Sequence, residues 1–357
     1  MARYRIGVLE GDGIGPEVVG AALQVVEAVT HSIPGLTLDL IPLPVGLAAI
    51  HTHGVALPPS TVAALEECHG WIMGPHDSES YPPAERAKRN PSGELRRRFD
   101  LYANIRPART FSGVPSLAPA ADLVVVRENT EGFYADRNMA QGAGEFMPTP
   151  DVALAVGVFT RRGAERIART AFRLAQGRRR SVTIVHKYNV LRLTYGLFLE
   201  TCRAVAREFP DVAVEDYHID AMAAHLVRRP GDFDVIVTTN MFGDILSDLA
   251  GELVGSLGMA GALNAGDERA MAQATHGSAP DIAGRGIANP VGGLLSTALL
   301  LHWLGDRHGD PGAHAAGERI EAAVAATLTA GVRTPDLGGS ARTLEFAEAV
   351  QERIAAE

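Results

Sequence analysis

The chain has 357 residues, 46% of them hydrophobic, which supports a substantial buried core and sets it apart from disordered sequences. Lys and Arg total 33 against 42 Asp and Glu, and the net charge of −9 argues against non-specific attachment to nucleic acid or anionic membrane. Two cysteines, Cys68 and Cys202, give no disulfide framework, and neither has metal-ligand spacing around it.

The N-terminal MARYRIGVLE enters a strand-like run without the apolar stretch and cleavage site of a signal peptide. The longest apolar run, Ala298 to Leu301, is too short to span a bilayer. A cytoplasmic setting without membrane contact is therefore expected. Along the chain, short apolar runs alternate with helix-period segments. RIGVLE precedes PEVVGAALQVVEAV, DLVVVRE precedes a long loop, and SVTIVHK precedes a helix. VAVEDYHID precedes AMAAHLV, DVIVTTN precedes FGDILSDLAGELV, and the Ala- and Glu-rich tail reads as helices. This alternation predicts an α/β fold with a largely parallel sheet. In such sheets ligands bind beyond the carboxyl ends of the strands, where the polar motifs fall here.

Gly11-Asp12-Gly13-Ile14-Gly15-Pro16-Glu17 follows the first strand and suits a tight turn into a helix. Its spacing is not the G-x-G-x-x-G of a dinucleotide-binding turn. Arg96 and Arg106 stand ten apart in ELRRRFDLYANIRP, and Arg127 ends the run VVVR. Three converging guanidiniums would suit a di- or tricarboxylate. Lys187 ends a β-rich run, where a desolvated lysine can serve as a general base. Asp220 lies between a strand and a helix, as an N-cap or as a metal carboxylate. Asp244 and Asp248, four apart, share one helix face. They read as helix-start acids or, with a cation between them, as ligands of Mg²⁺ or Mn²⁺. The loop ATHGSAPDIAGRGIANP is rich in small residues that let backbone N–H groups approach a ligand. Asp281 within it could accept bonds from a ribose diol and repel a 2′-phosphate, favouring NAD over NADP.

The ordered set GDGIGPE, LRxxxDLYANIRP, RENTEGFY, VHKYNV, FGDILSD, HGSAPDIAGRGIANP and TPDLGGSA resembles the β-decarboxylating dehydrogenases, which act on isocitrate, homoisocitrate, 3-isopropylmalate and tartrate or malate. The resemblance runs from about Ile6 to Ala341. It implies two α/β domains of the isopropylmalate/isocitrate dehydrogenase type, not the usual Rossmann fold. Residues 1–99 plus 253–357 would form a discontinuous domain carrying the NAD site. Residues 100–252 would carry the metal site and the interface of a homodimer with shared active sites. By the same resemblance Arg96, Arg106 and Arg127 grip the substrate carboxylates, and Asp244, Asp248 and a second subunit's Asp220 bind Mg²⁺ or Mn²⁺. Lys187 and Tyr134 handle protons. Ile14, His276, Gly277, Ser278, Ala279, Asp281, Ile282 and Asn289 line the NAD site.

In the family, residues just before Arg96 meet the substituent on C3 of the malate. Here Lys88 to Glu94 are polar, with Asn90 and Ser92 in place of the apolar pair of isopropylmalate enzymes. RENTEGFY and VHKYNVLRLTYGLF also resemble the isocitrate and homoisocitrate enzymes. The homoisocitrate enzymes' arginine near Gly93 is absent unless Arg89 substitutes, Tyr188 replaces a small residue and narrows the pocket, and Gln273 replaces an acidic residue on the nicotinamide side. A short C3 substituent, as in malate or tartrate, stays open beside 3-isopropylmalate. A catalytically silent regulatory subunit would be expected to lose metal carboxylates or the proton-handling pair, and this chain keeps them.

Overall fold

The computed structural model describes residues 2–118, 120–134 and 144–356. Strand β1 (Ala2–Leu9) leads into helix α1 (Gly15–Ser32), β2 (Leu36–Pro42), α2 (Gly46–His53), α3 (Pro59–Glu66) and β3 (Gly70–Met73). Helices α4 (Pro83–Arg86) and α5 (Pro91–Arg98) precede β4 (Ala103–Arg109) and β5 (Asp122–Glu128). A separate hairpin, β6 (Glu145–Thr149) and β7 (Val152–Ala155), falls in the stretch expected to be a long loop. Then come α6 (Arg161–Gln176), β8 (Ser181–His186), α7 (Thr194–Ala206), β9 (Ala213–His218), α8 (Ile219–Arg228), β10 (Val235–Thr238) and α9 (Asn240–Val254). The chain ends with β11 (Leu263–Ala265), β12 (Ala270–Ala272), α10 (Val291–His308), α11 (Pro311–Thr329) and α12 (Thr343–Ala356).

Ten strands form one mixed sheet in the order β2-β1-β3-β12-β11-β4-β5-β10-β8-β9. The three pairings at each end are parallel, and the three in the middle (β12–β11, β11–β4, β4–β5) are antiparallel. The expectation of a largely parallel sheet thus fails at the centre. The reason is connection length. Parallel neighbours need a crossover, usually a helix, whereas β11 and β12 are joined by a turn in which Gly266 N–H bonds the Arg269 carbonyl. The described residues between β4 and β5 also form no helix.

Inner strands such as β3, β5 and β10 bury both faces, with side chains alternating between layers. In β5, Val124 and Val126 pack with Ile167 and Phe172 of α6 and Phe198 of α7. Leu123 and Val125 pack instead with Met222 of α8 and with Leu246 and Leu253 of α9. Another core joins the chain's two ends: Tyr4, Ile6 and Val8 of β1 meet Leu294 of α10, Ile320 of α11 and Phe346 of α12. Both cysteines are buried free thiols. No described helix is long and apolar enough to cross a membrane.

Three asparagines cross the antiparallel centre. Asn264 Oδ1 on β11 accepts bonds from Asn104 Nδ2 on β4 and from Asn129 Nδ2 just past β5, both at 3.0 Å. Asn129 Nδ2 also donates to the Leu101 carbonyl at 2.9 Å, and all three residues are fully buried. Removing the shared acceptor weakens the satisfaction of two buried amides at once. Asn264→Leu is expected to lower the unfolding free energy by about 3 kcal/mol or more, given roughly 1–3 kcal/mol per unsatisfied group. Urea denaturation checks this; a loss under about 1 kcal/mol would mean the network holds little.

Candidate active site

β4 and β5 are paired so that Asn104 stands opposite Arg127, with Arg106 two residues along from Asn104 on the same face. Helix α9 lies across this pair. A Cβ on Gly243 would come within 2.5 Å of the Arg127 Cβ, so only glycine permits the close approach. α9 begins at Asn240, which places Asp244 and Asp248 in its second and third turns. They are not helix-start acids, and the helix dipole does not explain them.

Four charged side chains meet here. Arg106 Nη1 donates to Ser247 Oγ at 2.7 Å and to Asp244 Oδ1 and Asp248 Oδ1, both at 3.3 Å. Arg127 Nη1 bonds Asp244 Oδ1, while its Nε and Nη2 donate to Asn240 Oδ1 at 3.0 and 2.6 Å. Asn104 Oδ1 accepts from Arg106 Nε at 3.0 Å and fixes the plane of that guanidinium. The arginine side chains are only 8% and 3% exposed, whereas those of Asp244 and Asp248 are 37% and 51% exposed. Burial, with Arg106 alongside, pulls the Arg127 guanidinium down to about 10, so it stays charged at neutral pH. Burial lowers Arg106 too, and raises the Asp248 carboxyl, with the Asp244 charge adding to the rise. The two positive and two negative groups balance. A divalent cation on the aspartates together with a dianion on the arginines would leave that balance unchanged.

Tyr134 O–H donates to Asp244 Oδ2 at 3.4 Å. Lys187 lies just beyond β8 and Asp220 in the first turn of α8, where His218 rather than Asp220 is the N-cap. Lys187 Nζ bonds Asp220 Oδ1 at 2.6 Å, and this bond holds the Asp220 carboxyl below its usual range. Among the described residues no three His, Cys, Asp or Glu side chains converge to hold a metal. Two of the three expected carboxylates therefore share a site, and the third stands with the lysine.

On the other side of the sheet's midpoint, the GDGIGPE turn meets the 274–290 loop. Ile14 N–H bonds the Ser278 carbonyl at 2.9 Å, and a Cβ on Gly13, whose φ is +60°, would reach that oxygen at 2.0 Å. Ile14 packs beside Ala279 and Ile282. Asp281 and Gly277 are exposed. His276 Nδ1 is 3.1 Å from the Gly277 carbonyl, its buried Nε2 has no hydrogen-bond partner among the described residues, and burial pulls the ring below its usual range. Asn289 Nδ2 donates to Asp336 Oδ2 at 2.9 Å. The turn itself is organised by Asp12, which accepts from Leu47 N–H at 2.7 Å, Asp77 N–H at 3.0 Å and Tyr81 O–H at 2.6 Å.

At the start of α5, Asn90 Oδ1 accepts from Gly93 N–H at 2.7 Å as the helix cap. Ser92 Oγ donates to Gln273 Oε1 at 2.7 Å and Arg96 Nη2 donates to the same oxygen at 3.2 Å. Asn104, Asn240, Ser247 and Asp12 were not foreseen as site residues. Asn104 could have been found from the two-residue strand period that places it beside Arg106.

A family model described as isocitrate/isopropylmalate dehydrogenase matches residues 5–350. The chain belongs to that family. It is 47% identical over 354 residues to the isocitrate/homoisocitrate dehydrogenase of Thermus thermophilus, covering 98% of each. It is 41% identical over 359 residues to the 3-isopropylmalate/3-methylmalate dehydrogenase of Methanocaldococcus jannaschii, covering 99% of this chain and 100% of the relative. A crystal structure of isocitrate dehydrogenase from Methylococcus capsulatus superposes with a TM-score of 0.86 at 40% identity, covering 98% of this chain and 99% of that one.

In this dehydrogenase the segment that carries Tyr134 is anchored by a buried carboxyl. Glu131 accepts from Thr160 N–H at 3.0 Å and Thr160 O–H at 2.7 Å, at the start of α6. Burial, reinforced by the Glu128 carboxylate, pushes Glu131 up to about 7. Burial raises the Glu128 carboxyl as well. An unfolded glutamate titrates near about 4.3, so from roughly pH 4.5 to 7 the folded chain holds a proton that the unfolded chain has released. Stability contributed by Glu131 is therefore full at acid pH and lost as the pH rises through that window. Glu131→Gln is expected to flatten the fall in unfolding free energy between about pH 5 and 7. Urea melts across that range check this, and an unchanged slope would contradict it.

Proposed function

We propose that the chain is a decarboxylating dehydrogenase that depends on NAD and a divalent metal. Its substrate is a (2R)-malate with a C3 substituent of the isocitrate or homoisocitrate kind. The observation that carries this is the pair of buried arginines set against Asp244 and Asp248. Guanidiniums this deep suit a bound carboxylate, and paired hard oxygens on one helix face suit Mg²⁺ or Mn²⁺. Asp244 and Asp248 would hold the cation with Asp220 of the partner subunit. The turn at Ile14 and the loop from His276 to Ile282, with Asn289, would hold the dinucleotide. Asp281, exposed, would meet the ribose diol. When bound, the cation supplies charge stabilisation at the substrate's C2 oxygen, and the dinucleotide supplies a hydride acceptor.

The chain's own residues do the rest. Arg106 and Arg127 hold the malate carboxylates, with Arg96 at the C3 end, so that the carboxylate on C3 is oriented to leave as CO₂. Lys187 of the partner subunit takes the proton of the C2 hydroxyl as C2 is oxidised. Tyr134 returns a proton to C3 after CO₂ departs. The proposed domains are residues 1–99 plus 253–357 and residues 100–252, and two observations support a homodimer formed through the latter. The third aspartate stands apart from the other two within one chain. Large apolar side chains, Val190, Leu193, Val227 and Ile245 among them, are exposed in the middle segment.

The test is cofactor reduction with Mn²⁺ and either NAD⁺ or NADP⁺, across isocitrate, homoisocitrate, 3-isopropylmalate, tartrate and malate. The highest kcat/KM is expected for isocitrate or homoisocitrate with NAD⁺. Asp244→Asn is expected to lose turnover by a factor on the order of a thousand while keeping a cooperative unfolding transition. Absence of turnover on the whole panel, or full activity in Asp244→Asn, would overturn the reading.

A further inference from the structure

Helices α10 and α11 pack against each other, and one histidine from each meets the other's across the joint. His302 Nδ1 on α10 lies 3.4 Å from His314 Nδ1 on α11. Each ring sits against a glycine of the opposite helix. A Cβ on Gly317 would come within 2.9 Å of the His302 ring, and a Cβ on Gly305 within 2.5 Å of the His314 ring. The missing side chains are what let the two rings approach. The outer nitrogens stand beside carboxylates: His302 Nε2 is 3.5 Å from Glu321 Oε1, and His314 Nε2 is 3.0 Å from Asp306 Oδ1. Exposed Glu318, one turn along α11 from His314, adds negative charge near His302.

A carboxylate beside Nε2 draws the single hydrogen of a neutral imidazole to that nitrogen and leaves Nδ1 with its lone pair. Two bare Nδ1 atoms this close repel each other unless a cation or a proton sits between them. We infer that His302 and His314 form a binding site for a divalent transition-metal ion of the Zn²⁺ kind, both coordinating through Nδ1, with water in the remaining positions. The spacing fits. Two nitrogens at about 2.0–2.1 Å from a tetrahedral ion stand about 3.3–3.4 Å apart. The surroundings fit as well, since a metal-binding histidine ordinarily gives its other N–H to a carboxylate, which fixes the tautomer and makes the ring a better ligand. Imidazole nitrogens suit Zn²⁺, Ni²⁺ and Cu²⁺, whereas Mg²⁺ prefers oxygen, so the site differs in kind from Asp244 and Asp248. Two protein donors make it weaker than a four-ligand structural zinc centre. A bound ion ties α10 to α11 within the core that joins the chain's two ends, and by mass action it stabilises the fold.

The experiment titrates Zn²⁺ by calorimetry into the untagged full chain and into His302→Gln and His314→Gln, at about pH 8, where free imidazole is neutral. Wild type is expected to bind one more Zn²⁺ per chain than either variant. Zn²⁺ is expected to raise its unfolding midpoint by about 3 °C more than theirs. Zinc-edge anomalous diffraction is expected to place that ion between the two rings. Equal stoichiometry and equal midpoint shifts in all three proteins overturn the site, and would leave a shared proton between the rings. Either variant suffices if the other does not fold, which circular dichroism checks. Mg²⁺-supported turnover is expected to be unchanged in both variants, so failure of this site and failure of the dehydrogenase reading are told apart.

Discussion

Burying two guanidiniums side by side is the constraint on which the site depends. Arg106 and Arg127 project from neighbouring strands, and their side chains are almost wholly buried. Isolated charges there would cost several kcal/mol each. Asp244 supplies a carboxylate to both, Asp248 a second to Arg106, and Asn240, Ser247 and Asn104 complete the hydrogen bonding. That need fixes the position of α9 over β4 and β5. It also accounts for Gly243, where any side chain would hold the helix away from Arg127.

The same network reaches into the fold. Asn104 accepts from Arg106 and donates to Asn264, which also receives Asn129. The orientation of Arg106 is thereby tied to the antiparallel centre of the sheet, where the strand from the chain's C-terminal third is inserted. A change in how β11 sits against β4 would be felt at Arg106. Buried polar networks of this kind couple packing to function because each member is satisfied only in one arrangement.

Much of this was legible in the sequence. Runs such as Val124 to Val126, Val182 to Ile184 and Val235 to Val237 are β-branched and buried on both faces, so they read directly as strands. Other strands gave weaker signals. β4 holds two arginines and Pro107, and β11 and β12 are three residues each with alanine, asparagine and methionine. Their strand character comes from neighbours, not from their own propensity. The antiparallel centre was invisible because pairing direction depends on connections, not on composition. Arg106, Arg127, Asp244 and Asp248 were each singled out from the sequence, and the structure brings them together with Tyr134. The uncharged residues that orient them were missed, since Asn and Ser carry no distinctive pattern. Gln273 was noticed as a departure, but its three bonds span segments near 74, 92 and 273 and could be seen only in three dimensions.

Lys187 and Asp220 stand as a separate pair. They pair with each other at the carboxyl ends of β8 and β9, while Asp244 and Asp248 face Arg106 and Arg127. A site divided between two copies follows if all three aspartates act on one cation. The most direct test is anomalous diffraction from crystals of the whole protein grown with Mn²⁺. The account predicts a peak bounded by Asp244 and Asp248 of one subunit and by Asp220 of the partner subunit. A peak elsewhere, or no peak at saturating Mn²⁺, would contradict it.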